Sequence, residues 1–465
     1  MSGMRASTAI GVGVLIAVAT VVPSCRSASR ARLEGSQRGE TRNGWIPVRL
    51  VGSPAQIGYQ HGYLLAAEID DALKVIKLSI THQTKRDWAF FRTTAKDVLW
   101  PHIEDEYREE LRGIANGLAA RSVDADVWDV VALNANIELT YYTDVLDAKK
   151  QSSAPEKCSA FVATGSWTRD GRPVIAHNNW SGYLEGERWN IIFDIRPENG
   201  HRILMDGFPG LIHSGDDFGM NDAGIVITET TISGFHGFDP GGVPEFVRAR
   251  KAMQYAASID DFNRIMRAGN NGGYANTWLL ADVKTGEIAR LELGLKHVTL
   301  ERTRDGYFAG ANFPIDPKLT AEETSFIPTD PTISGCARRA RFERLMPTLK
   351  GQLDVAAAKL IMADHVDAAE GNTDAPSEHT LCGHVDLSPR GMKPWQDEFG
   401  PAGTVQAKVA DATGVEHMEL EAAIGHPCGV SFVAAEHLAR HPEFAWQKEL
   451  LRDLPSQPWT SFSAR

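Results

Sequence analysis

This 465-residue sequence has few cysteines, few long apolar runs and no excess of positive charge. Five cysteines in this length are too few for a disulfide-based scaffold. The single long apolar run is N-terminal, which excludes a polytopic membrane protein. Acidic residues outnumber basic ones, 60 against 48, and the net charge of −12 argues against general binding to nucleic-acid phosphates. The remaining composition, 43% apolar and 23% charged, is typical of a globular protein.

Residues 1–25 are expected to be an export signal. The apolar segment 9–22 has the length of a signal-peptide core and is short for a membrane span. Val22-Pro23-Ser24-Cys25 then resembles a bacterial lipobox, which implies lipidation of Cys25, membrane association through that lipid, and a cell-envelope lipoprotein that is periplasmic or on the cell surface. A plain secretory signal with an incidental cysteine is the alternative. Residues 26–44, rich in Arg, Ser and Gly, are expected to be a tether.

The rest of the chain divides into a helical front, residues 45–157, and a β-rich rear, residues 158–465. Ser53 and Pro54 are typical of a helix start, and apolar residues then recur at helical spacing. From Cys158 onward, short apolar segments separated by turn signals predict strands, with helical stretches between them. This pattern predicts an α+β fold in which layered, largely antiparallel sheets are covered by helices.

Common catalytic signatures, such as a nucleophile elbow, a P-loop or a zincin motif, are absent from the sequence. Two histidine clusters have spacings that could suit a metal ion. His437 and His441 lie four apart on a predicted helix without a third ligand nearby, so a solvated helix face is expected. His379-x-x-Cys382-x-His384 has residue types suited to zinc but lacks a matching second pair. The sequence therefore predicts no metal ion and no other cofactor.

Cys158 is the strongest candidate for a catalytic residue. It follows the polar segment 146–157 and opens a predicted strand, where a cysteine is ordinarily a small buried apolar residue. Cleavage of the chain just before Cys158 would put a thiol and a free α-amine on one residue. An α-amine titrates near about 7.7–8.0, so at neutral pH it can accept the proton of the thiol.

Four segments of the rear carry a family resemblance: CSAFVATG from Cys158, AHNNW from Ala176, the segment from Phe208 to Gly234 that contains SGDDF and ETTI, and GYANTWLLAD from Gly273. They resemble N-terminal-nucleophile (Ntn) hydrolases of the penicillin acyltransferase (acyl-CoA:6-aminopenicillanic acid acyltransferase) family, and most of all the phospholipase B-like proteins. In the helical front, VGSPAQIGYQHG and ELRGIANGL fit as well. The resemblance implies an αββα four-layer sandwich of two antiparallel sheets with a helical N-terminal segment.

The resemblance also implies site residues around the nucleophile. Cys158 matches the catalytic, self-cleaving cysteine, and His177 and Asn179 match the segment that lies beside the new amine. Asn179 stands where the acyltransferases have an aspartate. Because a neutral amide orients an amine without stabilising its charged form as a carboxylate does, His177 is expected to supply that function.

Two asparagines and an arginine complete the implied site. Asn221 and Asn312 match the asparagines of the oxyanion hole, although turn chemistry would also explain them. Arg339 aligns best with the family's late arginine, Arg338 is the alternative, and a surface helix face would explain either. The acidic pair in GDDF, Asp216 and Asp217, is expected to hold site loops rather than act on substrate.

The function implied is that of a self-processing cysteine hydrolase that cleaves acyl amide or ester bonds through an acyl-enzyme on Cys158, without a cofactor. An acyltransferase, or a non-catalytic envelope lipoprotein that retains the fold, is the alternative. The expected partner is a small-molecule or lipid acyl substrate rather than nucleic acid. Aromatic side chains of the helical front would form an apolar wall for the acyl chain, unless they only pack the helices onto the sheets; they are Trp88, Phe90, Phe91, Trp100, Tyr141 and Tyr142.

Overall fold

The computed structural model describes residues 31–148, 158–215, 218–371, 373–390 and 399–464. The predicted export signal with Cys25, the segment that ends at Lys157, and the pair Asp216 and Asp217 lie outside the described residues. Among the described residues, no helix has both the length and the apolar character needed to cross a membrane.

The helices of the front precede almost all of the strands. They are α1 (Pro54–Leu64), α2 (Ala66–Thr84), α3 (Trp88–Thr94), α4 (Asp105–Ala120), α5 (Val127–Asn134) and α6 (Asn136–Leu146). A π-helical turn (Ala95–Leu99) and a 3-10 turn (Trp100–His102) join α3 to α4. The helices of the rear are α7 (Tyr183–Gly186), α8 (Glu245–Tyr255), α9 (Ile259–Arg267), α10 (Pro317–Glu323), α11 (Ser334–Thr348), α12 (Val355–Met362), α13 (Ala412–Glu416) and α14 (Ala434–Arg440). Further 3-10 turns are Gly165–Trp167, Val385–Leu387 and Pro442–Gln447.

The strands form two large sheets and a small ribbon. The first strands are β1 (Gln37–Arg38), β2 (Ile46–Gly52), β3 (Ser159–Thr164), β4 (Val174–Gly182), β5 (Ile191–Pro197), β6 (Ile203–Gly207), β7 (Gly219–Asn221) and β8 (Ile225–Thr231). The later ones are β9 (Asn276–Asp282), β10 (Glu287–Leu293), β11 (Val298–Thr303), β12 (Gly306–Gly310), β13 (Val366–Asp367), β14 (Thr373–Asp374), β15 (Ala402–Asp411), β16 (Glu419–Ile424) and β17 (Thr460–Ser463). The nine-stranded sheet has the order β1-β2-β5-β6-β7-β8-β9-β10-β11, the six-stranded sheet the order β12-β3-β4-β15-β16-β17, and β13 pairs with β14.

Alternation of side chains along the strands creates the layers. Ile191 and Phe193 of β5 pack in one apolar cluster with the front helices, whereas Ile192 between them packs with Val162 of β3 in a cluster between the two sheets. On the far side of the six-stranded sheet, Phe161 packs with the apolar residues of α11 and α12. Helices therefore cover both outer faces of two stacked sheets, and the predicted α+β, αββα architecture is confirmed.

Two details of the front differ from the sequence-based prediction. β2 lies in the helical front yet pairs in parallel with β5, Ile46 opposite Ile191, because Ile46, Val48 and Leu50 alternate to one buried face. The described part of the predicted tether is not a free linker, because β1 pairs with β2. Both strands belong to the nine-stranded sheet, so the front contributes strands to that sheet as well as helices that pack on its face.

Close approach of α1 and α4 explains the glycines of the two front motifs. A Cβ on Gly58 would lie 1.9 Å from the carbonyl oxygen of Glu110, and one on Gly117 would lie 2.4 Å from that of Tyr59. The packed pair presents His61, whose Nε2 accepts a hydrogen bond of 3.0 Å from the backbone of Gly210. Burial lowers the pKa of His61 to about 3, so its ring is neutral and suited to accept.

Candidate active site

Cys158 stands immediately before β3 and is almost completely buried. Its Sγ lies 4.0 Å from Oε1 of Glu229 on β8. The thiol, a ring nitrogen of His177 and a carboxylate oxygen of Glu229 all lie within 4.8 Å of one another. The cysteine is therefore surrounded by groups that exchange protons rather than by the apolar side chains typical of a buried structural cysteine. The same three groups are also of the types that bind metal ions.

Strand β4 brings two of the predicted residues to Cys158. Ser159 pairs with Asn178 and Ala160 with His177, so continuation of that register sets Asn179 opposite Cys158. Because side chains alternate along a strand, His177 and Asn179 share the face toward the nine-stranded sheet. The Nδ2 of Asn179 is buried and has no hydrogen-bond partner among the described residues. The structure thus brings Cys158, His177 and Asn179 together as predicted.

Arg338 of α11 holds the backbone of Cys158 and the amide of Asn312 at once. One Nη donates to the carbonyl oxygen of Cys158 and to Oγ of Ser159, and the other donates to Oδ1 of Asn312 at 2.8 Å. The guanidinium lies 4.1 Å from the ring centroid of Trp180. Its side chain is completely buried, and a buried cation needs such a set of acceptors and an aromatic face.

Asn312 follows β12 with a φ of +68°, a left-handed conformation that asparagine tolerates better than most residues. Its Nδ2 donates to the carbonyl oxygen of Thr231 at 2.9 Å, and its own carbonyl accepts from the backbone of Ser233 at 3.1 Å. The end of β8 and the start of the next loop therefore fix Asn312 in place. Together with Arg338 it belongs to the same site as Cys158.

Sequence reasoning missed Glu229 and the tyrosine beside it. The hydroxyl of Tyr274 donates to Oε1 of Glu229 at 2.9 Å and lies 2.9 Å from Oγ1 of Thr231. Glu229 is fully buried in β8, IVITETT, a strand whose residues are all buried. A charged residue inside such a strand is a signal that could have been used, because burial of an unpaired carboxylate is costly.

A buried ion pair lies beside the site, between the sheets. Lys408 of β15 is in register with His177, and its Nζ lies 3.2 Å from Oδ2 of Asp206 on β6. Neither side chain is exposed to solvent. Asp206 also accepts hydrogen bonds from Gln406 at 2.7 Å and from Ser214 at 2.9 Å. This network ties the two sheets together next to His177.

Two predicted site residues lie elsewhere. Both hydrogens of the Asn221 amide are used by carbonyls at the end of α8, Met253 at 3.0 Å and Ala256 at 2.8 Å. Its Oδ1 accepts from the backbone of Ile225, four residues and about 13 Å of strand before Glu229. The expectation that Asn221 lies beside Cys158 in the pocket is therefore wrong. Its side chain instead holds the turn between β7 and β8 against the end of α8.

Arg339 is the second correction. Its side chain is 40% exposed and pairs with Glu343 one helical turn later at 2.8 Å. Neighbouring positions on a helix point about 100° apart, so Arg338 and Arg339 cannot both face the site. The alternative, Arg338, is the arginine that reaches Cys158.

Most of the front aromatics pack against one another. The rings of Trp88 and Phe90 both contact Phe91, which is fully buried. Tyr141 instead reaches the segment that follows β8, where its ring centroid lies 5.8 Å from that of Phe235. Of the expected apolar wall, only the rings in the middle of α6 reach the rear of the molecule, while the other rings stabilise the front.

Comparison with known proteins shows which family model and which relatives this chain resembles. The Phospholipase B family model matches residues 74–298, a range that contains Cys158, His177 and Glu229. Over that range the chain is similar to phospholipase B-like proteins. It is 24% identical over 341 residues to phospholipase B-like 1 of Caenorhabditis elegans, with 66% of this chain and 57% of that one covered.

Two other similarities are to a second sequence relative and to a solved structure. The 40 kDa form of acyl-coenzyme A:6-aminopenicillanic-acid-acyltransferase from Emericella nidulans is 25% identical over 240 residues, which are 48% of this chain and 57% of that one. A conjugated bile acid hydrolase from Clostridium perfringens superposes with a TM-score of 0.34 and 10% identity, over 57% of this chain and 89% of that one. The chain spans little more than half the length of these two sequence relatives.

Proposed function

We propose that this protein is a self-processing cysteine hydrolase that cleaves acyl amide or ester bonds through an acyl-enzyme on Cys158. One observation carries the proposal. The buried thiol of Cys158 lies within 4.8 Å of His177 and Glu229, while Arg338 holds the carbonyl of the same residue. A nucleophile with proton-transfer groups at that range, and a fixed backbone, is the arrangement that covalent acyl transfer needs.

The first step in this proposal is cleavage of the chain itself. The thiol of Cys158 attacks the carbonyl carbon of Lys157, the C–N bond breaks, and the acyl group moves from nitrogen to sulfur. Water then hydrolyses the thioester, which leaves a carboxylate on Lys157 and a free α-amine on Cys158. No α-amine exists before this step, so another group must take the thiol proton. Glu229, with its Oε1 at 4.0 Å from Sγ, is the acceptor we assign to it.

In the mature enzyme the α-amine of Cys158 takes over as base. The thiolate attacks the acyl carbonyl of a substrate, and the amide N–H of Asn312 donates to the oxyanion that develops. The leaving amine or alcohol takes the proton back from the α-ammonium, and water then resolves the acyl-enzyme. Asn179, opposite Cys158 in the strand register, orients the amine, and His177 supplies the second polar group beside it.

A fatty-acyl substrate fits this proposal better than a charged one. Tyr141 and Tyr142, in the middle of α6, pack against Phe235 and Phe238 in the segment after β8, and such rings offer apolar area to an alkyl chain. Export as a lipoprotein anchored through Cys25 would bring the enzyme to a membrane, where acyl substrates are concentrated. Transfer to an acceptor other than water is a second candidate, favoured by the likeness to the Emericella nidulans acyltransferase.

A trapped acyl-enzyme tests the proposal. An activated acyl ester, added to the processed protein and quenched in acid, is expected to add the mass of one acyl group to the peptide that begins with Cys158. Substitution Cys158→Ala removes the acceptor. Acylation of the variant to the same extent, or of another residue in the wild type, would reject Cys158 as the nucleophile.

A further inference from the structure

A second cluster of thiols and imidazoles lies behind the active site. It consists of His365 after α12, Cys382 and His384 in the segment before the 3-10 turn at Val385–Leu387, and Cys428 after β16. One ligand atom from each of the four lies within 4.8 Å of the others. Cys382 and His384 are fully buried, whereas His365 and Cys428 are half-buried.

Two distances within this cluster match those of a tetrahedral site, and the remaining ones are at most 4.8 Å. Nε2 of His365 lies 3.1 Å from Nε2 of His384, and Sγ of Cys428 lies 3.6 Å from the same nitrogen. In tetrahedral zinc sites, with Zn–N of about 2.0 Å and Zn–S of about 2.3 Å, two nitrogens lie roughly 3.3 Å apart and a nitrogen and a sulfur roughly 3.5 Å apart. The side chains need little movement to enclose an ion.

We propose that His365, Cys382, His384 and Cys428 bind one structural zinc ion. Two thiolates and two neutral imidazoles around Zn²⁺ give a site of no net charge, which suits its burial. All four positions of a tetrahedron are filled by protein, as in structural sites, so no position remains for water or substrate. The ion would therefore act on the fold and not on the reaction.

This site corrects the grouping that the sequence suggested. His379 is not part of the cluster, because its Nδ1 lies 3.1 Å from Oδ2 of Asp367 and its Nε2 3.2 Å from the carbonyl of Thr332. The second pair that the sequence lacked is His365 and Cys428, which are 63 positions apart and meet in the fold. The ring of His384 stacks on that of His426, with centroids 3.9 Å apart, and this contact fixes the plane of the ring.

The zinc site would secure the segment that supports Arg338. Gly383, between two ligands, packs against the ring of Trp180 so closely that a Cβ would lie 2.1 Å from it. Trp180 in turn covers the guanidinium of Arg338. On the same segment the carbonyl of Glu378 accepts from Ser334 at 2.6 Å, and Ser334 accepts from Arg338 at 3.0 Å. Loss of the ion should therefore loosen this support, whether or not Cys158 is a nucleophile.

Metal analysis of the full-length chain tests the site. Protein purified without chelators is expected to carry about one zinc ion per chain by inductively coupled plasma mass spectrometry, and the Cys382→Ser and Cys428→Ser variants close to none. Matched controls are Cys336→Ser, a cysteine outside the cluster, and His417→Gln, an exposed histidine; both should keep the full metal content. Replacement of zinc by Co²⁺ in the wild type should give the visible absorption of tetrahedral cobalt bound to thiolate.

Two measurements keep the test independent of how well the cysteine variants fold. The first is the zinc content of His365→Asn, a change in a half-buried ligand. The second uses the folded wild-type protein, whose melting temperature should fall when a strong chelator is added. Zinc in the wild type no higher than in Cys382→Ser would overturn the proposal. So would recovery of Cys382 and Cys428 as one disulfide-linked peptide after alkylation without reduction, because the two thiols would then be unable to bind metal.

Discussion

Arg338 donates a hydrogen bond of 2.8 Å to Oδ1 of Asn312. An asparagine amide has two chemically different ends, and this bond fixes the oxygen toward the arginine and the nitrogen away from it. The same guanidinium binds the carbonyl of Cys158. One buried side chain thus sets the relative position of the proposed nucleophile and the proposed oxyanion donor. Arg338 should therefore contribute more to activity than its exposed neighbour Arg339.

Substitution of Arg338 and of Arg339 gives a matched pair. Arg338→Ala is expected to lower kcat by about 100-fold or more, the loss typical of a displaced oxyanion donor, with a smaller change in KM. Arg339→Ala should stay within about twofold of the wild type, because surface substitutions rarely disturb a site. Steady-state kinetics on folded protein, verified by circular dichroism, would check this. Equal losses in the two variants would contradict the assignment.

The two asparagines should separate by the kind of defect they cause. Asn312→Ala should lower kcat per folded molecule by about 100- to 1,000-fold, in addition to any fall in melting temperature from the loss of its two buried side-chain hydrogen bonds. Asn221→Ala removes four hydrogen bonds of a buried turn and should instead lower the melting temperature while activity per folded molecule is retained. Thermal unfolding and kinetics measured on the same preparations decide the matter. An Asn221 variant that is stable but inactive would restore its role in the oxyanion hole.

The family resemblance predicted the parts of the site that lie on one strand. The alternation in His177-Asn178-Asn179-Trp180 already assigns His177 and Asn179 to one face, and the structure keeps them beside Cys158. The arginine was harder, because a shift of one residue on a helix changes the direction by about 100° and a motif match does not resolve it. The i, i+4 pair of Arg339 with Glu343 is the pattern of a solvated face and would have favoured Arg338.

Contacts between distant segments could not be predicted in this way. Glu229 approaches Cys158 from the other sheet, and 71 positions separate them in the sequence. The ligands His365 and Cys428 join Cys382 and His384 through the packing of a loop against the end of a strand. β2 was overlooked because its seven residues stand among helices, and its pairing partner β5 lies more than 130 residues later. In each case the prediction would have required knowledge of the tertiary structure.

Glu229 should be needed for self-cleavage more than for turnover. Glu229→Gln removes the acceptor for the thiol proton in the precursor, and we expect the cut before Cys158 to slow by about 100-fold, within the usual contribution of a general base. The cut can be restored if Lys157 and the residues before it are replaced by the recognition sequence of a protease that cleaves directly before Cys158.

The cleaved Glu229→Gln protein should then hydrolyse substrate within about tenfold of the wild type cut by the same protease, because the α-amine serves as base. Time courses on denaturing gels and initial rates measure the two steps separately. If both steps were impaired equally, Glu229 would act throughout the reaction or only support the fold, and its assignment to the precursor would fall.

The acyl chain of the substrate should be long and apolar. p-Nitrophenyl esters and p-nitroanilides of increasing acyl length are expected to react with rising kcat/KM, since each buried methylene contributes about 0.8 kcal/mol. The Cys158→Ala variant serves as the blank. Tyr141→Ala should weaken the dependence on chain length, because it removes part of the apolar wall. A preference for short or charged acyl groups would reject the lipid substrate and leave the amidase assignment standing.

The N-terminal sequence and intact mass of the purified protein test the central claim most directly, that Cys158 is an N-terminal nucleophile. The account predicts two polypeptides from an active wild-type preparation, the heavier one starting with Cys158, and a single uncut chain from Cys158→Ala. An active wild-type enzyme that runs as one chain, with residues 157 and 158 still joined, would contradict it.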